Sequence, residues 1–251
     1  MIYLFGPRGR KDLEQFCKHS AIYAFDFDGT LAPMAAIPDA AGMLPATQKL
    51  WAELQKLVEV AVITGRSRKD AAARFPKKPH HLIGNHGLEG ENQDRSKQLK
   101  AKQTVKEWRK PLHERIKKIA GVEIENKIFS ISVHYRQARH HGRAKAAILE
   151  VGSRLSPVPR MIPGKCVVNL VPPGSPNKGT SLLEVMKTAG VNRALFVGDD
   201  HTDEDVFHLP NSGLFTICVG RRRGSGAEYY IKSQSEIDRL LRMLISILAK
   251  P

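Results

Sequence analysis

The sequence has few cysteines, few aromatic residues and no long apolar run. Its cysteines, Cys17, Cys166 and Cys218, form no Cys-x-x-Cys pair, which argues against a disulfide framework or a zinc site. No segment approaches the roughly 18 apolar residues that a membrane span needs, and the first twenty residues lack the apolar stretch of a secretion signal. We therefore expect a cytoplasmic protein that does not enter a membrane.

Acidic residues are also in short supply, with 25 Asp and Glu against 40 Lys and Arg, a net charge of +15. Such a charge attracts nucleic acids, acidic surfaces and small anionic substrates alike. The densest basic stretch, residues 95–118, carries apolar side chains at helical spacing: Val105, Trp108, Leu112, Ile116 and Ile119. Because aromatic residues are 6% of the chain and no nucleic-acid motif accompanies the charge, we interpret this stretch as a solvated helix face and expect no nucleic-acid partner.

Apolar runs that suit strands alternate along the chain with helical periodicities, which predicts an α/β fold with a mostly parallel sheet. The predicted strands are 22–25, 58–63, 81–84, 194–197 and 215–219, with helices at 46–57 and near the C-terminus. The 41% of hydrophobic residues is enough for a real core.

Residues 89–172 follow a different pattern, which predicts a separate α+β domain inserted into the core formed by residues 1–88 and 173–251. A basic helix precedes extended runs at 122–126 and 128–135, and a second helix at 141–155 precedes a strand at 166–171. Alternating strands of this kind favour a small antiparallel sheet backed by the two helices.

The most informative motif is Asp26-Phe27-Asp28-Gly29-Thr30, which directly follows the first predicted strand. Residues two apart in an extended segment point the same way, so both carboxylates project together, and Gly29 permits a sharp turn. Clustered carboxylates repel unless a cation lies between them, and their oxygens suit Mg²⁺. One carboxylate can act as nucleophile and the other as general acid and base. A strand that simply ends in an acidic turn is the alternative.

Three further stretches have the polar groups that phosphoryl transfer needs, each with an ordinary alternative. Thr64-Gly65 follows a predicted strand and offers a hydroxyl and backbone amides to an anion, or Thr64 caps a helix. Lys178 lies just before a predicted helix, where a cation is unfavourable for the helix dipole; this indicates a functional role, and a solvated surface lysine is the alternative. In the acidic run 198–205, Asp199 and Asp200 come at a strand end, where α/β sheets bind ligands, whereas Asp203 and Glu204 can favour the start of a helix.

In this order the four stretches resemble the motifs of haloacid dehalogenase superfamily phosphatases. Further segments make the chain similar to the trehalose-6-phosphate phosphatase family, and these are GNHGLE at 84–89, SVHYR at 132–136, GKCVV at 164–168 and GDDHTDE at 198–204. The matches extend over nearly the whole chain from Tyr23 onward. The resemblance implies a Rossmann-like core, with residues 89–172 as a cap domain inserted between the second and third motifs.

The resemblance also implies the catalytic roles. Asp26 would attack phosphorus and carry an aspartyl-phosphate, while Asp28 would protonate the departing sugar oxygen and then activate water. Thr64 and Lys178, with Gly29 and Gly65, would bind the phosphoryl group. The implied ligands of Mg²⁺ are the Asp26 carboxylate, the Asp28 backbone carbonyl and Asp199, with Asp200 and Asp203 nearby.

For the sugar, the resemblance implies contacts from the motif and cap residues His86, Glu125, Lys127, His134, Arg136 and Asn169. Asn169 departs from the family, which usually has a glutamate there, and an amide cannot form the charge-assisted hydrogen bonds of a carboxylate. From the motifs and the resemblance together, we expect a monomeric Mg²⁺-dependent phosphatase acting on trehalose 6-phosphate. A related enzyme for another sugar phosphate is the near alternative, and a basic binding protein on an inactive scaffold is the distant one.

Overall fold

The computed structural model describes residues 1–35, 40–90, 95–164, 166–210 and 213–250. The chain forms two compact units, one of Met1–Glu91 with Asn177–Pro251 and the other of Asn92–Pro176. In chain order the strands and α-helices are β1 (Ile2–Tyr3), α1 (Pro7–Phe16), β2 (Ile22–Phe25), α2 (Pro45–Leu57), β3 (Val60–Ile63), α3 (Arg68–Ala72), β4 (His81–Ile83), α4 (Arg95–Ile116), β5 (Glu123–Asn126), β6 (Ile131–His134), α5 (His141–Ser153), β7 (Arg160–Gly164), β8 (Val167–Val171), α6 (Lys178–Thr188), β9 (Ala194–Gly198), α7 (Glu204–Phe207), β10 (Leu214–Val219), β11 (Tyr229–Ile231) and α8 (Ile237–Leu248).

The larger unit contains a sheet in the order β1-β11-β10-β9-β2-β3-β4, in which every pair is parallel. The predicted α/β fold with a mostly parallel sheet is thus confirmed. β2 lies in the interior of this sheet, between β3 and β9. The carboxyl ends of these three strands therefore meet at one edge.

Side chains alternate between the two faces of this sheet, and each face is covered by helices. Tyr23 and Phe25 of β2 belong to an apolar cluster with residues of α1, α2 and α8, whereas Ile22 and Ala24 belong to a second cluster with residues of α6 and α7. Strands buried on both faces have nearly continuous apolar sequences, as the four buried residues of β2 do. This packing fixes the strand ends on which the polar motifs lie.

The first twenty residues, which precede the motifs of the resemblance, complete one edge of the sheet. β1 pairs with β11, where Ile2 is opposite Tyr229, and α1 buries Leu13 and Phe16. Strands of two or three residues are too short to show an alternation of apolar and polar residues. In α1 most residues are charged or polar and few are apolar, so its helical periodicity is weak in the sequence.

In the smaller unit, an antiparallel sheet in the order β5-β6-β8-β7 packs against α4 and α5. Ile131, Val133, Val168 and Leu170 form the helix-facing side of this sheet and are buried. α4 buries Trp108, whose indole nitrogen donates to the Pro157 carbonyl at 3.0 Å. Strand β7 was not among the predicted strands; it contains Pro163, which is tolerated because β7 is an edge strand.

None of the described helices is long and apolar enough to cross a membrane. The cytoplasmic location and the monomeric state stay predictions.

Candidate active site

The polar motifs of the larger unit meet at the carboxyl ends of β2, β3 and β9. Asp26 and Asp28 follow β2, Thr64 follows β3, and Asp199 follows β9. In open α/β sheets ligands bind at this edge, near the point where the strand order reverses. Here β3 and β4 lie on one side of β2, and β9, β10, β11 and β1 lie on the other.

Three carboxylates converge at this edge of the sheet. Asp26, Asp199 and Asp203 each offer one oxygen, and the three oxygens lie within 4.8 Å of one another. Gly29 makes this approach possible, because its φ is +81° and a Cβ at this position would collide with the Asp199 carboxylate. Thr30 donates a hydrogen bond from its hydroxyl to Asp199 Oδ1 at 3.3 Å.

Lys178 places a buried ammonium group among these carboxylates. Its Nζ lies 3.0 Å from Asp26 Oδ1 and donates to Asp203 Oδ1 at 2.7 Å, and the residue is 2% exposed. Lys178 is the first residue of α6, where the helix dipole disfavours a cation, so the two aspartates must offset both that cost and desolvation. Burial alone would lower the pKa of Lys178, but Asp203 and Asp26 outweigh it and raise this pKa.

One ammonium does not balance three clustered carboxylates. Burial raises the pKa of Asp26 well above its usual value despite Lys178, and the neighbouring carboxylates of Asp203, Asp199 and Asp28 raise it further. Burial, with the charge of Asp203, raises the pKa of Asp199 to about 7. A hard divalent cation with oxygen ligands would remove this excess negative charge, so the donor set fits Mg²⁺.

The metal-free protein is expected to lose stability as the pH rises from about 4 to about 7, so it should be less stable at pH 8 than at pH 5.5. Because the folded-state pKa of Asp199 is raised from 3.8 to about 7, the folded protein keeps a proton that the unfolded chain has lost, and ionisation across this window favours unfolding. Mg²⁺ removes this penalty, so it should raise the Tm more at the higher pH, by on the order of 5 °C. Scanning calorimetry with and without Mg²⁺ at both pH values measures the difference.

The variant Asp199→Asn serves as the control for this experiment, since an amide at position 199 has no charge to lose. It should remove most of the pH dependence of the Mg²⁺ effect. An equal gain in Tm at both pH values for the unaltered protein would contradict the prediction.

Asp28 lies outside the carboxylate cluster and is bound by Arg66. The Arg66 Nε donates to Asp28 Oδ2 at 2.6 Å, and its Nη2 donates to Asp28 Oδ1 at 2.7 Å. Arg66 was not among the site residues predicted from the sequence. Its position two residues after Thr64, at the same strand end, is the feature of the sequence that could have identified it.

Thr64, Gly65 and His86 lie together, because the loop after β4 folds onto the loop after β3. Thr64 is buried, its Oγ1 accepts from the Arg66 backbone N–H at 3.2 Å, and its carbonyl accepts from the His86 N–H at 3.0 Å. The His86 ring lies so close to Gly65 that a Cβ there would collide with it. Asn85 and His86 have φ values of +53° and +56°, a strained conformation that concentrates at functional sites.

The two remaining aspartates predicted near the metal lie in different settings. Asp203 belongs to the carboxylate cluster, whereas Asp200 caps a short 3-10 helix at His201–Asp203, its Oδ1 accepting from the His201 N–H at 2.7 Å. The Asp200 backbone N–H in turn donates to Asp203 Oδ2 at 2.8 Å, which orients Asp203. A role for Asp200 at the metal stays a prediction.

In the smaller unit, four of the predicted sugar-binding residues lie together on or beside the sheet face opposite the helices. Glu125 is opposite Ser132 on β6, which is opposite Asn169 on β8, and the Ser132 hydroxyl donates to Asn169 Oδ1 at 2.6 Å. Glu125 Oε2 lies 2.9 Å from His134 Nε2 and 3.9 Å from Lys127 Nζ. By contrast, Arg136 follows the end of β6 and is exposed, and Lys165 of the GKCVV motif is outside the described residues.

A fully parallel sheet with buried aspartates and a lysine at its carboxyl edge is the arrangement of a haloacid dehalogenase superfamily phosphatase. Solved structures with the same fold include a trehalose-6-phosphate phosphatase related protein (TM-score 0.73, 20% identity, 90% of this chain and 98% of that chain). Another is the C-terminal domain of C. albicans trehalose-6-phosphate phosphatase (TM-score 0.72, 21% identity, 94% and 96%).

The trehalose-phosphatase family model matches residues 24–227. The chain is 32% identical over 260 residues to a probable trehalose-phosphate phosphatase D of Arabidopsis thaliana, covering 94% of this chain and 70% of that one. It is 29% identical over 240 residues to a trehalose-phosphate phosphatase of Mycobacterium tuberculosis H37Rv, covering 88% of this chain and 61% of that one. The chain belongs to the trehalose-phosphatase family, and it spans about two thirds of the length of these relatives.

Proposed function

We propose that this protein is a Mg²⁺-dependent phosphatase that hydrolyses trehalose 6-phosphate to trehalose and phosphate. The observation that carries the proposal is the buried contact of Lys178 with Asp26 and Asp203, beside Asp199, at the carboxyl edge of the sheet. Phosphoryl transfer depends mainly on positioning and on neutralising charge, and this cluster supports both. Membership of the trehalose-phosphatase family supports the choice of substrate.

In the proposed first step, an oxygen of the Asp26 carboxylate bonds to phosphorus while the bond from phosphorus to the sugar oxygen breaks. Asp28 gives its proton to the departing oxygen, so the sugar leaves as an alcohol. In the second step, Asp28 takes a proton from water as the water oxygen bonds to phosphorus and the bond to Asp26 breaks. Phosphate leaves, and both aspartates return to their starting state.

Other residues would hold the phosphoryl oxygens during both steps. Lys178 supplies a fixed positive charge beside the nucleophile, and Thr64 with the backbone amides at Gly29 and Gly65 would complete the phosphate site. Mg²⁺, held by Asp26, the Asp28 carbonyl and Asp199 with Asp200 and Asp203 nearby, would neutralise charge on the transferring group.

We further propose that the smaller unit is the cap, the part that recognises the sugar. Glu125, Lys127, His134 and Asn169 form one polar group of hydrogen-bonding side chains, and Arg136 and His86 would extend the sugar contacts. Glu125 can accept from sugar hydroxyls, and Lys127 can donate to them. The amide of Asn169, in place of a carboxylate, favours a second candidate, a phosphatase for a different sugar phosphate.

Phosphate release from trehalose 6-phosphate, sucrose 6-phosphate and glucose 6-phosphate is expected to require Mg²⁺ and to be fastest with trehalose 6-phosphate. The second sugar ring of the disaccharide offers hydroxyl groups for the polar side chains of the cap to recognise, so we expect its kcat/KM to exceed that of glucose 6-phosphate by a factor on the order of 100. A phosphate assay over this panel, with EDTA in a parallel series, measures the preference.

Each outcome of this panel has a definite meaning. A preference for sucrose 6-phosphate or glucose 6-phosphate would replace the substrate and keep the chemistry. The absence of Mg²⁺-dependent release from every compound would overturn the proposed function and favour a binding protein. In that case salt-sensitive binding to nucleic acid should be measured next.

A further inference from the structure

Arg66 connects the proposed acid and base, Asp28, to a helix of the core. Its Nε and Nη2 donate to the two oxygens of Asp28 at 2.6 and 2.7 Å, in the planar paired arrangement that arginine makes with a carboxylate. The remaining terminal nitrogen, Nη1, donates to Asp70 Oδ2 at 2.8 Å. The Arg66 side chain is 11% exposed, whereas the side chains of Asp28 and Asp70 are 31% and 38% exposed, so the guanidinium group is shielded and the carboxylates stay accessible to solvent.

The position of Arg66 is itself fixed. Asp70 accepts from Arg74 as well, with Nη2 at 2.7 Å from Oδ1, and its backbone N–H donates to the Ser67 hydroxyl at the start of α3. The hydrogen bonds from Arg74 and Arg66 outweigh burial and lower the pKa of Asp70, so it stays ionised. A chain of alternating charges therefore runs from Asp28 through Arg66 and Asp70 to Arg74.

These ion pairs give the two catalytic aspartates different charged neighbours. Lys178 contacts Asp26, and Arg66 contacts Asp28, so each carboxylate has its own cation. Each Asp28 oxygen has two lone-pair sites, and Arg66 uses one on each oxygen, which leaves a site free for a proton.

We propose that Arg66 is a positioning residue that fixes the plane and direction of the Asp28 carboxyl group for both proton transfers. The proposal rests on the proposed phosphatase function. A proton transfer requires its partners within about 2.6–3.2 Å, and a carboxyl group that rotates freely would seldom be in place. Lysine is a single point donor and cannot hold both oxygens in this way.

The test compares two leaving groups in the variant Arg66→Gln. The p-nitrophenolate group leaves without a proton, so with p-nitrophenyl phosphate the first step should stay within about threefold of the wild-type rate, while the second step, which needs Asp28, should slow by about 100-fold. Rapid mixing should therefore show a burst of about one p-nitrophenolate per active site, followed by slow turnover. With the sugar phosphate, both steps need Asp28, so kcat should fall by about 100-fold or more without a burst of sugar release, and KM should change little.

Two further variants complete the test. Arg66→Lys keeps the charge and one donor, so its kcat should lie between those of wild type and Arg66→Gln. Lys69→Gln removes one positive charge from the exposed side of α3, the helix that carries Asp70, and should behave as wild type.

The proposal is overturned if Arg66→Gln hydrolyses the sugar phosphate at the wild-type kcat. It is also overturned if the p-nitrophenolate burst disappears together with turnover, because Arg66 would then bind phosphate or maintain the fold. Wild type is assayed in the same experiment. If wild type releases no phosphate from any substrate, the failure lies in the proposed function and not in the role of Arg66.

Discussion

Replacing Asp26 with asparagine is expected to abolish phosphate release, by a factor on the order of 10⁴ or more. An amide has nearly the same shape as the carboxylate but cannot attack phosphorus, so no aspartyl-phosphate forms. The change also removes a carboxylate whose pKa is raised by burial and further by its acidic neighbours, while Lys178 keeps its contact with Asp203. The Tm of Asp26→Asn should therefore equal or exceed that of wild type.

Activity and stability must be measured together on the same preparation. Steady-state phosphate release gives the loss of turnover, and scanning calorimetry gives the Tm. Glu53→Gln, which removes an acidic group from the exposed face of α2, is the matched control and should leave both values unchanged. Turnover of Asp26→Asn within about tenfold of wild type would show that another group is the nucleophile.

Replacing Lys178 with methionine should abolish turnover and also destabilise the fold. The change leaves Asp26 and Asp203 buried without their cation, and breaking a buried ion pair costs about 3–5 kcal/mol. For a chain of this size that corresponds to a fall in Tm on the order of 10 °C. Thermal unfolding without added metal measures the fall, and phosphate release in the presence of Mg²⁺ measures the activity.

A second change separates the two contributions of Lys178. The double variant Lys178→Met with Asp203→Asn removes one cation and one anion, so it should recover much of the lost Tm but none of the activity. Lys187→Met, at the exposed C-terminal end of the same helix, should change Tm by no more than about 1–2 °C. A Lys178→Met protein as stable as wild type would contradict the electrostatic account of the cluster.

The central part of the larger unit could be predicted from the sequence because its strands are buried on both faces. β2, β3 and β9 are continuous apolar runs, β4 and β10 each contain one polar residue, and polar motifs begin where these strands end. Parallel neighbours bring such strand ends to one edge of a sheet, so the meeting of Asp26 with Asp199 follows from the pattern.

Side-chain pairing could not be predicted in the same way, since it depends on register and on loop geometry. Arg66 reaches Asp28 because β2 and β3 are adjacent with Phe25 opposite Val62, a register that no periodicity reveals. Asp200 and Asp203 stand in one acidic run, and only the 3-10 turn after β9 directs Asp203 inward while Asp200 caps the turn. A contact between distant residues decided the first case, and a local turn decided the second.

The pairing of β1 with β11 has a consequence for the order in which the chain folds during synthesis. Ile2 pairs with Tyr229, which the ribosome adds more than two hundred residues later, so the larger unit cannot complete its sheet until β11 has been synthesised. Residues Asn92–Pro176 are contiguous and can complete their own contacts much earlier. Strand β2 pairs early with β3 but meanwhile lacks its other neighbour, β9, and this unpaired apolar edge exposes the nascent chain to aggregation.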